Sequence, residues 1–217
     1  MQPAKRIIQK NFNNRIQKCK SYEGLFIRDN GQNNQVTIDT PDVFVGTHIQ
    51  IDANNTHIHI KNVRYIRYSK IFVYNGDNQR LTIGDGTSVE GMNVYLCGQD
   101  SSLEIGEDCM LANNIQIWTA DGHSVVDKTS GEILNQKPGH VVVSKCTWIA
   151  QDAKLLKKAF IPANSIVGAS SVVSRAFKEE NTVIAGNPAR VVKQNVIWNR
   201  EVSNKSVKGY SSEKNDN

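Results

Sequence analysis

Six aliphatic residues fall in unbroken steps of six along the second half of the chain: Val143, Ile149, Leu155, Ile161, Val167 and Val173. They head the hexapeptides VSKCTW, IAQDAK, LLKKAF, IPANSI, VGASSV and VSRAFK. The fifth residue of the first five is small: Thr147, Ala153, Ala159, Ser165 and Ser171. Such a period is neither that of an amphipathic helix nor the simple alternation of a half-buried strand. Short strands turned at regular corners account for it, with one aliphatic side chain per face aimed at the axis and a small residue where the coil bends. A coil of this kind buries its apolar edge only against neighbouring coils, so it requires stacking and a cap at each end.

The step recurs earlier in shorter runs, Ile83, Val89 and Tyr95, then Ile105, Leu111 and Ile117. GQNNQVTID from Gly31, GDNQRLTIG from Gly76 and GQDSSLEIG from Gly98 each set a Gly five residues before a Val-x-Ile or Leu-x-Ile pair. Between Ile27 and Tyr74 the rhythm loosens to the pairs Ile49/Ile51, Ile58/Ile60 and Ile71/Val73, which read as irregular strands of the same body. The expectation is an all-β parallel β-helix over residues 22–198. Residues 1–21 form an N-terminal cap, residues 199–217 a polar C-terminal tail, and the caps are short and helical or irregular. Before the first acid, Glu23, stand Lys5, Arg6, Lys10, Arg15, Lys18 and Lys20; they read as a solvated helix or frayed end, with a basic arm as the alternative.

One interruption stands out. Between Ile117 and Val143 the step breaks, and the segment carries the turn signals Asp121-Gly122, Ser130-Gly131 and Pro138-Gly139. It reads as a loop over 119–142 thrown out of the coil, the kind of place where a rigid scaffold carries function.

Composition sets bounds on what the chain does. With 39% hydrophobic and 22% charged residues it is globular in type, and no apolar run is long enough to span a bilayer as a helix. An excess of 26 basic over 21 acidic residues suits an anionic small ligand and is too slight to indicate nucleic acid. The N-terminus lacks the apolar stretch of a secretory signal, so a cytoplasmic location is expected. Cys19, Cys97, Cys109 and Cys146 form neither a CxxC pair nor a disulfide pattern and read as ordinary small residues of a reducing compartment.

DGHSVVDKTSGEILN, then VVVSKCTWIA, SIVGASSVV and VIAGNPARVVKQNVIW occur in that order. With the hexapeptides, these motifs resemble the hexapeptide-repeat acyltransferases, and within them the bacterial enzymes that O-acetylate capsular or lipopolysaccharide sugars, sialic acid among them. The resemblance covers about residues 76–198. It implies a left-handed parallel β-helix, acetyl-CoA as donor, a sugar or polysaccharide acceptor, no metal, and a homotrimer with donor and acceptor meeting between subunits. Two departures flank the expected coenzyme track. Trp148-Ile149-Ala150 stands where many members read Trp-Ile-Gly, and Gly168-Ala169-Ser170-Ser171 where they read Gly-Ala-Gly-Ser.

Moving an acetyl group from a thioester to a hydroxyl needs a base, since an alcohol is a poor nucleophile until its proton leaves. Histidine suits that task near neutral pH, and the resemblance assigns it to His123, with Gly122 before it permitting close backbone approach. Trp148 is implied beside the thioester, as a flat wall for the pantetheine arm and, through its backbone N–H, as an oxyanion donor; a packing aromatic is the alternative. Asn93 and Asp121 are implied on the acceptor side, although an Asn at a coil corner explains Asn93 equally. Asp127 and Asn135 match the family's loop, where they would fix it or orient the imidazole.

For the coenzyme phosphates, Lys154, Lys157, Lys158, Arg175, Lys178, Arg190 and Lys193 supply cations, with Arg190 and Lys193 preferred. Ala150 and Ser170 offer backbone polar groups along the arm. His57 and His59 share a strand face without a recognisable third metal ligand, His48 reads as a strand residue, and His140 as a surface residue where the chain re-enters the coil. The competing readings are an N-acetyltransferase on an amino sugar, a γ-carbonic-anhydrase-like metalloenzyme, and a non-catalytic β-helix scaffold.

Overall fold

A computed structural model describes residues 7–10, 18–22 and 24–201. Its strands stack into three sheets that form the faces of a coil, first, second and third in the order the chain visits them. The first face includes Gln35–Ile38, His57–Ile60, Arg80–Ile83, Ser102–Ile105, His140–Val143 and Phe160–Ile161. The second runs from Phe44–Val45 through Met110–Leu111, Trp148–Ile149 and Ile166–Val167 to Val183–Gly186. The third holds Leu25–Asp29, Thr47–Ile51, Lys70–Tyr74, Met92–Cys97, Ile115–Trp118, Lys154–Leu155 and Val172–Val173. The expected parallel β-helix is what the chain forms.

Parallel register places each inward side chain directly over its counterpart in the next coil. Ile60, Ile83, Ile105, Val143 and Ile161 make one such row. Ile66, Val89, Leu111, Ile149 and Val167 make the second, and Ile71, Val94, Ile117, Leu155 and Val173 the third. All fifteen are fully buried. The small fifth residues of the hexapeptides are buried too, Thr147, Ala153, Ser165 and Ser171 at 0% exposure and Ala159 at 1%.

The third row corrects one expectation. Val94, not Tyr95, faces the axis, because the corner between Val89 and Val94 is one residue shorter than in the hexapeptide coils; Tyr95 therefore points outward beside Trp118. The region from Ile27 to Tyr74 is likewise not irregular. Its coils are 22 or 23 residues long, as the partners Asn34–Thr56 and Thr56–Gln79 show, and the added residues lie at the corner between the third and first faces. There Asn33, Asn55, Asn78 and Asp100 all take a left-handed backbone, for which Asn and Asp have unusual tolerance. They stack on one another, with the Asn33 amide donating to Asn55 at 3.3 Å and the Asn78 amide to Asp100 at 2.9 Å.

Both ends close by antiparallel pairing instead of by the expected helical or irregular caps. Ile7–Lys10 pairs with Gln35–Ile38, and Lys18–Tyr22 with Leu25–Asp29. At the other end Val183–Gly186 and Ala189–Lys193 form a hairpin on the second face. The physical reason is the edge: a terminal coil presents a row of unpaired N–H and C=O groups, which a returning strand satisfies and a helix does not. Lys10, Lys18 and Lys20 thus lie on strands, while Lys5, Arg6 and Arg15 fall outside the described residues.

The C-terminal boundary also moves. Arg200, assigned to the tail, donates to Ser88 Oγ at 2.5 Å and to the carbonyls of Asp108 and Cys109 at 3.2 Å, and Trp198 Nε1 donates to the Cys146 carbonyl at 2.7 Å. The chain is therefore tied to the coils as far as Arg200; the rest of the expected polar tail, from residue 202 on, lies outside the described residues.

Since coil stability comes from contacts with the coils on either side, a cavity in a middle coil should weaken the whole stack. Ile117→Ala, in the coil that launches the loop, is expected to lower the unfolding free energy by about 2–5 kcal/mol, measured by urea denaturation. A change below about 1 kcal/mol would show that the coils relax to fill the void.

Candidate active site

The loop leaves the coil after the strand Ile115–Trp118 and returns at His140–Val143, so it springs from the corner between the third and first faces. Its root is tight. Thr119 is fully buried and donates its hydroxyl to the Cys97 carbonyl at 2.9 Å. Gly139 closes the other side so near that a Cβ there would sit 1.5 Å from the Thr119 carbonyl oxygen. Only glycine permits the two ends to meet.

Beyond the root the loop folds into a small hairpin. Val126 bridges Ile133 in antiparallel sense, and Leu134 N–H donates to the Val125 carbonyl at 2.8 Å. Asp127 caps the turn by accepting the N–H groups of Thr129 at 2.9 Å and Ser130 at 2.8 Å. The Ser130 N–H first, then that of Thr129, holds its carboxyl below the usual carboxylate range. The loop does not orient the imidazole through Asp127; that residue builds the turn.

His123 lies at the hairpin's base, fully in solvent contact on one side, with its N–H on the Asp121 carbonyl at 2.8 Å. Among the described residues neither ring nitrogen has a hydrogen-bond partner. Gly122 serves a purpose other than the expected close approach. No atom lies within 4 Å of where its Cβ would be, and its φ of +73° is what calls for glycine.

Asn135 ties this geometry together. Its side-chain oxygen accepts the Val125 N–H at 2.9 Å, and its amide donates to the His123 carbonyl at 2.8 Å and to Asp121 Oδ2 at 3.1 Å. Around His123, Asp121, Asn135, Lys137 and Lys157, with Gln99 from the coil above, lies a cleft of about 200 Å³. Cys97 also borders it, yet burial pushes that thiol above its usual range. A thiolate is accordingly scarce near neutral pH.

Other site residues anticipated from sequence do not join this cleft. Asn93 stands mid-strand on the third face, in register with Lys70 and Gln116, and turns no corner. Four residue steps along the strand separate it from Cys97 at the cleft edge, about 13 Å of rise. Trp148 and Ala150 belong to the second face. Their N–H groups donate to the carbonyls of Ser165 at 3.0 Å and Val167 at 2.9 Å. The expected oxyanion donor at Trp148 is therefore already spent in the ladder between coils, and Ala150 offers no free N–H.

Ser170 sits exposed at the corner between the second and third faces with φ of +56°, its N–H given to the Gln151 carbonyl at 2.9 Å. Arg190 and Lys193 are exposed on the closing hairpin. Lys157, one of the candidate phosphate cations, is instead turned inward to the loop, with its ammonium 2.7 Å from the Asn135 carbonyl oxygen. His59 is paired with Asp39 at 3.1 Å, and His140 with Ser102 at 2.8 Å.

The candidates thus separate into two groups. His123 and Asp121 occupy the corner between the third and first faces. Trp148, Ala150, Ser170, Arg190 and Lys193 gather on and beside the second face. In a three-sided coil that corner lies opposite the second face, so one chain does not bring the two groups together.

Sequence reasoning missed two features. Phe72, Tyr95 and Trp118 stack on the outer third face leading to the loop, with centroids 5.7 Å apart in the first pair and 3.8 Å in the second. The signal was their even 23-residue spacing, the length of a coil. Trp198, tilted against Trp148 at 6.4 Å, was the other, and it carried no spacing signal because its segment lies outside the repeat.

No family model matches the chain. It is 29% identical over 194 residues to the polysialic acid O-acetyltransferase of Neisseria meningitidis, covering 80% of this chain and 89% of that one. Its fold follows the crystal structure of the polysialic acid O-acetyltransferase OatWY with a TM-score of 0.71 and 26% identity, over 85% of this chain and 88% of that chain. In sequence and fold the chain resembles the hexapeptide-repeat acyltransferases. A third relative, the polysialic acid O-acetyltransferase of Escherichia coli O1:K1, is 25% identical over 141 residues, and the match spans 63% of this chain and 45% of the length of that relative. The base candidate His123 stands on the loop between Trp118 and His140, and Arg190 and Lys193 stand on the closing hairpin.

Proposed function

We propose that this acyltransferase moves an acetyl group from acetyl-CoA to a hydroxyl of a cell-surface polysaccharide, with sialic acid the first sugar to test. The observation that carries this reading is His123, held by its backbone at the rim of a polar cleft with both ring nitrogens open to a substrate. The names borne by its relatives supply the reaction class. His123 takes the proton of the acceptor hydroxyl as its oxygen attacks the thioester carbonyl, and the tetrahedral intermediate then collapses to the sugar ester and the coenzyme thiol, which receives a proton. The hydroxyl needs that help more than a neutral amine would, which favours O- over N-transfer for a site built around a base.

Acetyl-CoA, in this reading, lies along the second face. Trp148 gives a flat wall to the pantetheine arm, the Ser170 hydroxyl lies along its course, and Arg190 and Lys193 meet the phosphates. Asn93 presents its amide to a longer acceptor on the third face. Asp121, bound to Asn135 and Lys157, serves the acceptor side through the loop it holds. No helix among the described residues is long and apolar enough to cross a membrane. A cytoplasmic location agrees with use of acetyl-CoA.

A homotrimer completes the site. His123 and Trp148 lie on opposite sides of one coil, so they meet only if different copies supply them. The hairpin offers an apolar surface for that contact, since Val125, Val126 and Leu134 are 53%, 53% and 59% exposed. Three copies in a closed ring would cover these side chains without open-ended growth.

Mass spectrometry of polysialic acid incubated with acetyl-CoA and the protein should show acetylated product. His123→Ala should keep the fold and lower kcat by roughly 10² to 10⁴-fold; wild-type turnover in that variant would remove His123 from the mechanism. Arg190→Ala with Lys193→Ala should raise KM for acetyl-CoA more than KM for the acceptor, and the reverse order in steady-state kinetics would displace the coenzyme from the closing hairpin. Mixing His123→Ala subunits with Trp148→Ala subunits should restore part of the activity, while a fully active monomer by light scattering would refute the shared site.

A further inference from the structure

Lys157 occupies an unusual position for a lysine of this solenoid. It lies in the hexapeptide Leu155–Phe160, at the same corner that launches the loop but one coil further on. Its side chain is only 9% exposed. The stem runs beneath the loop root, where its Cγ would lie 3.1 Å from a Cβ on Gly139. The ammonium donates to the Asn135 carbonyl at 2.7 Å and to Asp121 Oδ2 at 3.3 Å. Those two residues flank His123, and Asn135 in turn holds the His123 carbonyl at 2.8 Å.

A buried ammonium is costly unless charge and hydrogen bonds compensate it. Here both compensating groups come from the loop and none from the coil. The loop contributes a carboxylate at its entry and a carbonyl at its exit, and the coil contributes the single cation that bridges them. Removing the cation would leave the Asp121 carboxylate without its ionic partner, and below the hairpin's own backbone bonds Asn135 would hold the base of the loop without that anchor to the coil.

We infer that Lys157 is a positioning residue for acetyl transfer, locking the loop through Asp121 and Asn135 so that His123 is held at a fixed place over the cleft. This rests on the reading of His123 as the base. Lys157 touches no reacting atom in this scheme; it acts through the backbone on either side of the histidine. A general base displaced by about an ångström loses up to roughly a hundredfold in rate, so the lock should show in kcat and not in binding.

The test compares wild type, Lys157→Met, Asp121→Asn and the double variant, with acetyl-CoA and polysialic acid as substrates. Lys157→Met keeps the stem and removes the charge. Its kcat should fall about tenfold to a hundredfold, with KM for acetyl-CoA within about twofold of wild type. Hydrogen exchange at the Val125 amide, which Asn135 holds, should quicken while the coil amides stay protected. The double variant should lose no more than the worse single variant, since both changes break one link. An unchanged kcat in Lys157→Met, or a lowered kcat with unaltered exchange in the loop, would overturn the inference. A wild-type protein that acetylates nothing would instead fail the functional reading itself, and is seen before any variant is compared.

Discussion

Neighbouring coils of this protein exchange backbone N–H to carbonyl bonds, and the aliphatic rows within follow that register. Trp148 N–H to Ser165, Ala150 N–H to Val167 and Gly168 N–H to Ile184 are links of the same ladder. The arrangement satisfies strands of two residues that would have no stability alone, because each gains a partner above and below. It also fixes what the faces can offer a ligand. Their backbone donors are committed to the stack, so recognition falls to side chains, to corners and to whatever is inserted between coils.

That commitment explains why the candidate base sits on the long insertion between Trp118 and His140. Between Thr119 and Gly139, whose own backbones still bond to Tyr95 and Ser102, the hairpin is outside the ladder, so its backbone is free to adopt turns the coil forbids, and Asn135 and Lys157 replace the ladder in holding it. The loop exchanges the uniform support of a strand for a few specific contacts, which place His123 where a solenoid face has no means to present a base. Burial of Thr119 and the absence of a side chain on Gly139 keep the insertion from disturbing the coils above and below.

The three-sided shape has a further consequence. A residue on a corner and a residue on the opposite face of one chain have the core of the coil between them. His123 with Asp121, and Trp148 with Arg190 and Lys193, stand in that relation. The proposed reaction therefore has the two groups meet between copies, and the exposed Val125, Val126 and Leu134 offer a surface for that contact.

The hexapeptide step determined the fold from sequence alone, because a period of six in Val143 to Val173 has one structural solution and every side chain in the step repeats the same packing problem. The break in that step located the loop, and the Asp-Gly-His motif, through the family resemblance, singled out His123 as the candidate base. Sequence could not determine that Val94 displaces Tyr95 from the axis, since a one-residue shortening of a corner leaves no mark on composition. Nor could it show that the N–H of Trp148 is taken by Ser165, or that Lys157 faces the loop instead of a phosphate. Those outcomes depend on which groups the stacking of distant coils brings within hydrogen-bond reach, and that is decided only when the coils close on one another.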